Sequence, residues 1–318
     1  MSVRRIVVLG GSGFVGRHIV GRLVDWGGHV LVPTRSRERA KHLVLLPTVD
    51  VVEADIHDAA TLGRLLAGAA AVVNLVGIIN ETRRGDFDRV HVELPRKVVA
   101  ACRDGGVRRL LHMSALNADP NGPSRYLVSK GQAEALVAAA DLDWTIFRPS
   151  VVFGREDSFL NLFARLERML PVMALACPQA KFQPVWVGDV AQGFVRALGD
   201  ERTWRQRYAL CGPRVYTLRE LVAYVGEVTG ENRPIVPLGP GLSRLQARVL
   251  ELLPGKLMTR DNIASMTLDN VCGDPYPDVL GGPPTALEAI APAYLTPIAA
   301  RSRYSKFRAE GGRTGPAG

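Results

Sequence analysis

The stretch Gly10-Gly11-Ser12-Gly13-Phe14-Val15-Gly16 separates two segments of different periodicity near the start of the chain. Residues 6–9 form an apolar, β-branched run that predicts a strand, and the apolar spacing from Phe14 to Trp26 predicts a helix. Glycines spaced as GxxGxxG permit a tight turn whose backbone can approach a pyrophosphate. The first amides and the dipole of the helix would face that anion. This context predicts a dinucleotide site, with contacts from Gly10, Ser12, Gly13, Phe14, Val15 and Gly16.

Strand-like and helical segments alternate through the first half of the chain. Short apolar runs stand at residues 29–32, 49–52, 70–76, 110–113 and 144–147. Alternation of this kind is typical of a parallel sheet covered by helices on both faces. We therefore predict an α/β fold: a Rossmann, doubly wound parallel sheet with a smaller, interleaved C-terminal lobe.

The regular alternation ends near Arg148, and this change predicts the domain bounds. Residues 1–150 with 183–212 are expected to form the NADP-binding Rossmann domain. Residues 151–182 with 213–300 are expected to form the smaller lobe, which would meet a substrate or a partner. Residues 301–318 hold five basic side chains and one acidic one, and we expect a basic, disordered tail there.

The end of the second predicted strand distinguishes between two dinucleotides. An Asp or Glu at this position would bind the ribose 2′-hydroxyl of NAD. The chain instead has Pro33-Thr34-Arg35-Ser36-Arg37, with no carboxylate. Arginine makes charge-assisted, bidentate hydrogen bonds to phosphate. The sequence therefore predicts NADP(H) in preference to NAD(H), with Arg35 on the 2′-phosphate.

Two further segments fit the same predicted site. Asp55 and Ile56 follow the third strand, where the carboxylate could accept from the adenine amino group or could cap the next helix. Leu75, Val76 and Gly77 end the fourth strand, and the small Gly77 would let a ribose lie close to the backbone.

Tyr126 and Lys130 form a YxxxK pair, and residues four apart share one face of a helix. An ammonium group beside a phenol favours the phenolate, so we expect the pKa of Tyr126 to fall towards the working range. Such a tyrosine can take or give a proton while hydride moves to or from a nicotinamide.

The glycine turn, Asp55, the Tyr126–Lys130 pair and residues 148–154 (RPSVVFG) together resemble the extended or atypical short-chain dehydrogenase/reductase superfamily. Residues 184–191 (PVWVGDVA) resemble its later signature, and the resemblance covers about residues 3–295. It implies that Tyr126 and Lys130 are catalytic, that Lys130 also holds the nicotinamide ribose, and that backbone at Pro149 and Val151 contacts the nicotinamide.

The resemblance also identifies two positions where this chain departs from the superfamily. Ser114 is the candidate relay hydroxyl, but Ala115 follows it where the superfamily usually has a run of Ser or Thr. His91 stands where Asn is common, and a packed histidine is favoured there over one that titrates near neutral pH. Whether the chain is an enzyme therefore stays open.

Five segments resemble one branch more narrowly, at residues 90–95, 112–118, 124–127, 257–262 and 284–290. This branch is the NADPH-binding accessory subunit of respiratory NADH:quinone oxidoreductase (complex I) and its bacterial epimerase/dehydratase-like relatives. The resemblance implies a nucleotide-holding protein with a redox or assembly role. The alternative is an active NADPH-dependent reductase or epimerase/dehydratase, which would use Tyr126 and Lys130 on a small apolar or quinone-like substrate.

The net charge of +9 bears on partners, and residues 301–318 supply +4 of it. Basic segments attract anionic lipid or acidic partners, so a membrane surface is one candidate partner. A respiratory-complex partner is the candidate that the resemblance implies. Nucleic acid is not expected, because aromatic side chains are only 6% of the chain and are not interleaved with the charge of the tail.

One later helix is both apolar and basic. Its apolar side chains are Leu242, Leu245, Val249, Leu252 and Leu253, with Arg244, Arg248 and Lys256 near them. This spacing favours a helix that faces the core. A basic amphipathic helix that lies on a membrane or a partner is the alternative.

The four cysteines are Cys102, Cys177, Cys211 and Cys272, with no CxxC pair and no histidine at metal-ligand spacing. We therefore expect no metal and a reduced, intracellular compartment. No apolar run reaches the roughly 20 residues of a membrane-spanning helix, and no signal peptide is expected. The predicted location is cytoplasmic, peripheral at the inner face of the membrane.

Overall fold

The computed structural model describes residues 5–251 and 257–296. The strands are β1 (Arg5–Leu9), β2 (His29–Thr34), β3 (Val49–Glu53), β4 (Ala71–Asn74), β5 (Arg109–Met113), β6 (Asp143–Pro149), β7 (Val152–Phe153), β8 (Met173–Leu175), β9 (Lys181–Phe182), β10 (Val185–Trp186), β11 (Gln206–Leu210), β12 (Tyr216–Thr217) and β13 (Ile235–Pro237).

The helices begin directly after the glycine turn. They are α1 (Phe14–Asp25), α2 (Lys41–Val44), α3 (Ala59–Leu66), α4 (Leu94–Asp104), α5 (Arg125–Ala138), α6 (Leu160–Met169), α7 (Val187–Gly199), α8 (Leu218–Thr229), α9 (Pro240–Leu250), α10 (Arg260–Ser265), α11 (Leu287–Ile290) and α12 (Pro292–Leu295). A π-helical turn at Asp88–Glu93 leads into α4.

The central sheet has seven strands in the order β11-β6-β5-β4-β1-β2-β3, and every neighbouring pair is parallel. The chain builds outward from β1 to β3 and then returns to the other side of β1 with β4. In sheets of this type ligands bind at the carboxyl ends of the strands where the order reverses, which here is between β1 and β4.

Helices cover both faces of the sheet. On one face α1 and α7 pack together, and Phe147 stacks on Phe194 with ring centroids 4.0 Å apart. On the other face α3, α4 and α5 bury side chains such as Leu66 and Val98. The predicted α/β class and the doubly wound parallel sheet are confirmed.

A separate apolar cluster lies outside the sheet. It packs α6 against α8 and draws on residues between Phe153 and Phe182 and between Tyr216 and Leu295. Short strand pairs connect these segments: β7 with β10, β8 with β13, and β9 with β12. The C-terminal lobe is therefore interleaved with the sheet in sequence, while the domain bounds given above stay a prediction.

Cys211 and Cys272 form a disulfide bond, although 61 residues separate them. The expectation of reduced cysteines is wrong for this pair, because residues this far apart can meet only through the fold. Cys102 and Cys177 are free thiols.

The apolar side chains of α9 face outward. Leu242, Leu245 and Val249 are each more than half exposed, while the small Ser243 and Ala247 face the protein. The expectation of a core-facing helix is therefore wrong, because the small side chains allow the close approach. Leu252, Leu253, Lys256 and the tail 301–318 lie outside the described residues. Among the residues that are described, no helix has the length and apolar character needed to cross a membrane.

Candidate functional site: a dinucleotide cradle beside a tyrosine–lysine pair

The glycine turn has the tight geometry that its spacing predicts. Gly10 has a positive φ of 82°, and the Gly13 N–H donates to the Gly10 carbonyl at 3.0 Å. A Cβ on Gly16 would lie 2.3 Å from that carbonyl oxygen, so only glycine fits. Gly13 caps α1 without a side chain, and no side-chain acceptor occupies the first amides of the helix. These amides are suited to hold an anion.

The predicted residues at the end of β4 lie against this turn. A Cβ on Gly10 would be 3.2 Å from the carbonyl carbon of Leu75 and 3.3 Å from the nitrogen of Val76. Asn74 holds the segment in place, because its Oδ1 accepts from the Val76 N–H at 3.2 Å and its Nδ2 lies 3.2 Å from His112 Nδ1. The glycine turn and the end of β4, both predicted to bind the dinucleotide, therefore lie side by side with their backbones in contact.

Lys130 lies next to Gly77. A Cβ on Gly77 would lie 3.2 Å from Lys130 Nζ and 3.5 Å from His91 Nε2. The Lys130 ammonium is almost fully buried and donates to the Met113 carbonyl at 3.2 Å. Burial lowers the pKa of Lys130 to about 8, and the carboxylate of Glu134 partly opposes that shift. The amine can therefore gain or lose a proton near neutral pH.

Tyr126 lies on the same helix, packed edge-on against Phe87 and His91 with ring centroids 5.9 and 5.7 Å away. Burial raises the pKa of Tyr126 to about 12. The expectation that Lys130 lowers this pKa is wrong for this structure. Desolvation among aromatic rings disfavours the phenolate, and burial is the one resolved cause of the shift.

His91 is a packed histidine, as the sequence favours. Its Nε2 accepts from the Ile78 N–H at 3.0 Å, so Nδ1 carries the proton and donates to Ser129 Oγ at 2.8 Å. The Ser129 hydroxyl then donates to the Tyr126 carbonyl at 2.8 Å. Burial, assisted by the charge of Lys130, lowers the pKa of His91 to about 2. The neutral ring therefore links the loop after β4 to the helix of Tyr126.

Ser114 lies just beyond β5, where its N–H donates to the Phe147 carbonyl at 2.7 Å. It is 3% exposed, and its hydroxyl finds no hydrogen-bond partner within the described parts of the chain. The Leu116 N–H donates to the Pro149 carbonyl at 3.0 Å, which keeps the ends of β5 and β6 together. The predicted relay hydroxyl is thus in the region of the site but has no bond to Tyr126.

Arg35 is exposed directly after β2, and Asp55 is exposed two residues after the end of β3. Burial lowers the pKa of His57, and the positive charge of Arg35 is one of the smaller contributors, so Arg35 lies near this turn. Asp55 Oδ1 accepts from the His57 N–H at 2.9 Å, while Ile56 packs partly on the core. The capping alternative for Asp55 is wrong, since Asp58 caps α3.

Two residues of the lobe reach the site from far along the chain. Asp261 accepts from the backbone N–H groups of Arg125 at 2.7 Å and Tyr126 at 3.1 Å. Asn270 Oδ1 accepts from the Val151 N–H at 3.2 Å and from Ser150 Oγ at 2.5 Å. Sequence reasoning missed both roles, because the partners lie 135 and 119 residues away and no local spacing signals them.

Comparison with known proteins agrees with this geometry. A family model described as NAD(P)H-binding matches residues 10–158. A Mus musculus protein, NADH dehydrogenase [ubiquinone] 1 alpha subcomplex subunit 9, is 34% identical over 290 residues, which cover 88% of this chain and 77% of the mouse protein. The chain belongs to the family of these NADH dehydrogenase subunits. The predicted resemblance to the complex I accessory branch is confirmed.

Other similarities extend beyond this NADH dehydrogenase subunit family. A ceramide reductase from Caulobacter vibrioides is 31% identical over 193 residues, covering 60% of this chain and 59% of that protein. An NADPH-dependent quinone oxidoreductase from Escherichia coli, solved with NADPH, superposes with a TM-score of 0.75 at 19% identity, covering 91% of this chain and 99% of that one. That likeness shows a shared fold. The family model supports a nicotinamide dinucleotide as the cofactor class.

In residues 5–251 and 257–296, no group of three or more His, Cys, Asp or Glu side chains is arranged to hold a metal ion.

Proposed function

We propose that this chain is an NADP(H)-holding protein with a redox-sensing or assembly role at a respiratory NADH dehydrogenase. One contrast carries the proposal: the cradle is complete, whereas the proton relay beside it is not assembled. A Cβ on Gly16 would meet the backbone of the turn at 2.3 Å, and a Cβ on Gly77 would lie 3.2 Å from Lys130 Nζ, so glycine at both positions keeps the cradle closely packed. Tyr126 has a pKa raised to about 12, and the Ser114 hydroxyl has no partner in the described residues. This arrangement suits holding a nucleotide better than turning over a substrate.

The residues present fit a dinucleotide, because the glycines let the turn pack closely on α1 and β4, and the Gly13 N-cap has no side chain to accept from the first amides of α1. The buried Ser114 hydroxyl also has no partner in the described residues. In this proposal residues 10–16 hold the pyrophosphate, Arg35 the 2′-phosphate, and Asp55 with Ile56 the adenosine end. Residues 75–77 and Lys130 hold the nicotinamide ribose. The nicotinamide end lies near Tyr126, Ser114, Pro149 and Val151. When bound, the nicotinamide can supply or accept hydride.

A binding and turnover experiment tests the proposal. NADPH is titrated into the full chain by fluorescence, and its oxidation is then followed with quinones, ketones and sugar nucleotides. We expect saturable binding of NADPH, and no oxidation that depends on Tyr126. Turnover that disappears in Tyr126→Phe while binding persists would instead identify an enzyme.

The second candidate is an active NADPH-dependent reductase on an apolar or quinone-like substrate. It is favoured by Lys130, whose pKa of about 8 and position at Gly77 suit proton exchange next to a bound nicotinamide. The similarity to a ceramide reductase supports a lipid-like carbonyl substrate. Oxidation of NADPH by a long-chain keto lipid, lost in Tyr126→Phe, is the result that this reading requires.

We further propose that α9 places the protein on an anionic lipid surface, peripheral at the inner, cytoplasmic face of a membrane. Leu242, Leu245 and Val249 form one exposed apolar stripe, and Arg244 and Arg248 are exposed beside it. No acidic residue stands within the eleven residues of α9. Apolar burial combined with attraction to anionic headgroups is the usual basis of interfacial helices.

A further inference from the structure

Residues 259–272, called the strap below, cross the carboxyl edge of the sheet beside the cradle. Besides Asp261 and Asn270, three contacts hold the strap to loops of the Rossmann half. Thr259 Oγ1 lies 3.4 Å from Asn80 Oδ1. Ser265 Oγ lies 2.8 Å from Ser124 Oγ. The Asp269 carbonyl accepts from Asn117 Nδ2 at 2.9 Å. The strap therefore connects the loops that follow β4 and β5 to the start of α5.

The strap contacts both sides of the predicted nicotinamide end. At one end Asp261 places a carboxylate on the first amides of α5, which carries Tyr126 and Lys130. A negative group is favourable there because the helix dipole is positive at its start. At the other end Asn270 orients the backbone of Val151. Both contacts position groups of the site without themselves lining the glycine cradle.

The Asn270 end is also covalently attached. Cys272 is bonded to Cys211, which directly follows β11 at the edge of the sheet. The Cys272 N–H donates to Gln183 Oε1 at 3.0 Å, and the Gln183 N–H donates to the Asn270 carbonyl at 3.0 Å. Since Asn270 stands only two residues before Cys272, the disulfide limits how far its side chain can move from Val151.

We propose that the Cys211–Cys272 disulfide is a redox fastener of the strap, so that the hold on the nucleotide is tight in the disulfide form and weaker in the dithiol form. This inference rests on the proposed NADP(H)-holding function and assigns its regulation. Loss of the covalent link leaves residues 269–272 held by non-covalent contacts alone. The bonds of Asn270 to Ser150 and Val151 then open more often, and one wall of the nicotinamide end loosens with them.

The reductant is a dithiol, either a small molecule or a protein with a reactive cysteine pair. One of its thiolates attacks the sulfur of Cys272, because Cys272 is a partly exposed residue whereas Cys211 is only 4% exposed. Cys211 leaves as a thiolate and takes a proton. The second thiol of the reductant then closes its own disulfide and releases Cys272 as a thiol. Two electrons and two protons pass to this chain, and the reductant is oxidised by the same amount.

The experiment compares the oxidised full chain with the same protein reduced by dithiothreitol. NADPH affinity is measured by titration, and exposure of the strap by limited proteolysis read by mass spectrometry. We expect reduction to raise the Kd for NADPH about three- to tenfold, as for the loss of one or two hydrogen bonds. Cleavage within residues 259–272 should increase, and reoxidation should restore both values.

Three variants separate the fastener from general damage. The double variant Cys211→Ser with Cys272→Ser should have the NADPH Kd and the strap cleavage of the reduced protein, and dithiothreitol should change neither value. Asn270→Ala, which keeps the disulfide, should raise the Kd by a similar factor in the oxidised state. Cys177→Ser removes a free thiol elsewhere and should respond to reduction as the unmodified chain does. Circular dichroism confirms that each variant is folded.

Four free thiols in the unreduced protein, or the same Kd and the same cleavage in both states, would overturn the fastener. Increased cleavage of the strap on reduction, without NADPH binding in either state, would support the fastener and overturn the proposed nucleotide-holding function. The two hypotheses therefore fail through different measurements.

Discussion

At the scale of single residues, Gly16 is a position where the backbone of the glycine turn leaves no room for a Cβ. We expect Gly16→Ala to lower NADPH affinity at least about tenfold and to destabilise the fold by about 1–3 kcal/mol, because the added Cβ meets backbone at 2.3 Å and 2.6 Å. Fluorescence titration and urea unfolding measure the two effects.

Gly21, on the same helix, is the matched control for Gly16. A Cβ there meets nothing within 4 Å, so Gly21→Ala should stabilise the protein by about 0.5–1 kcal/mol and leave NADPH binding unchanged. Equal NADPH affinities for the two alanine variants would contradict the geometry of the turn.

Arg35 is the second residue on which the choice of cofactor depends. Arg35→Ala should weaken NADPH binding about 10- to 100-fold, since charge-assisted bonds to the 2′-phosphate are lost, and should leave NADH binding nearly unchanged. Arg39→Ala, at a nearby exposed arginine, serves as control and should change neither affinity. Equal weakening of both dinucleotides by Arg35→Ala would show that Arg35 does not read the phosphate.

His91 makes stability depend on pH. Its pKa is lowered from 6.5 to about 2, so below pH 6.5 the unfolded chain binds a proton that the folded protein excludes. Stability is therefore lost as pH falls from 6.5 towards 2, by about 2 kcal/mol at pH 5 from this one group.

The variant His91→Asn should lose about 2 kcal/mol less than the unmodified chain between pH 7.5 and pH 5, measured by urea unfolding at both values. His29→Asn, at a half-buried histidine on β2, is the control and should keep the full loss. If stability depended on pH in the same way in the unmodified chain and in His91→Asn, His91 would be excluded as the source of the loss.

At the scale of elements, α9 is the helix through which we expect the C-terminal lobe to bind a membrane surface. Burying Leu242, Leu245 and Val249 in an interface should contribute about 1.5–3 kcal/mol for each side chain, and each arginine near an anionic surface about 1 kcal/mol. We therefore expect the protein to float with vesicles of phosphatidylglycerol and not with vesicles of phosphatidylcholine alone.

Leu242→Ser with Leu245→Ser should abolish that flotation. Leu45→Ser is the control, because Leu45 is 88% exposed after α2 in the Rossmann half. Association with a purified respiratory NADH dehydrogenase in detergent, without binding to vesicles, would show that α9 binds a protein partner and not a lipid surface.

At the scale of the whole molecule, the cradle draws on β1, α1, β4 and α5, and the strap connects these elements to the lobe. A ligand that binds there should stabilise both parts together. At 100 times its Kd, NADPH should add about 2.7 kcal/mol and raise the melting temperature by about 4 °C, in one transition. Calorimetry with and without NADPH measures this shift, and Arg35→Ala should reduce it. A second transition that ignores NADPH would show that the lobe unfolds on its own.

The features that depend on near neighbours in the chain could be predicted from the sequence alone. The glycine spacing predicted the turn at Gly10 and Gly16 because freedom at φ and space for a Cβ are local properties. The alternation of strands and helices predicted the parallel sheet, and the four-residue spacing predicted that Tyr126 and Lys130 share a face. Helix hydrogen bonds and strand lengths join residues a few positions apart, so their patterns are visible in the chain.

Which distant groups meet, and how deeply they are buried, depends on the folded chain and could not be predicted from local spacing. The packed structure raises the pKa of Tyr126 to about 12 through burial beside Phe87 and His91, opposite in direction to the shift that the YxxxK spacing predicts. It joined Cys211 to Cys272 and brought Asp261 to the start of α5. It also turned the leucines of α9 outward. Desolvation and contact between remote segments are properties of the packed chain, and no local spacing encodes them.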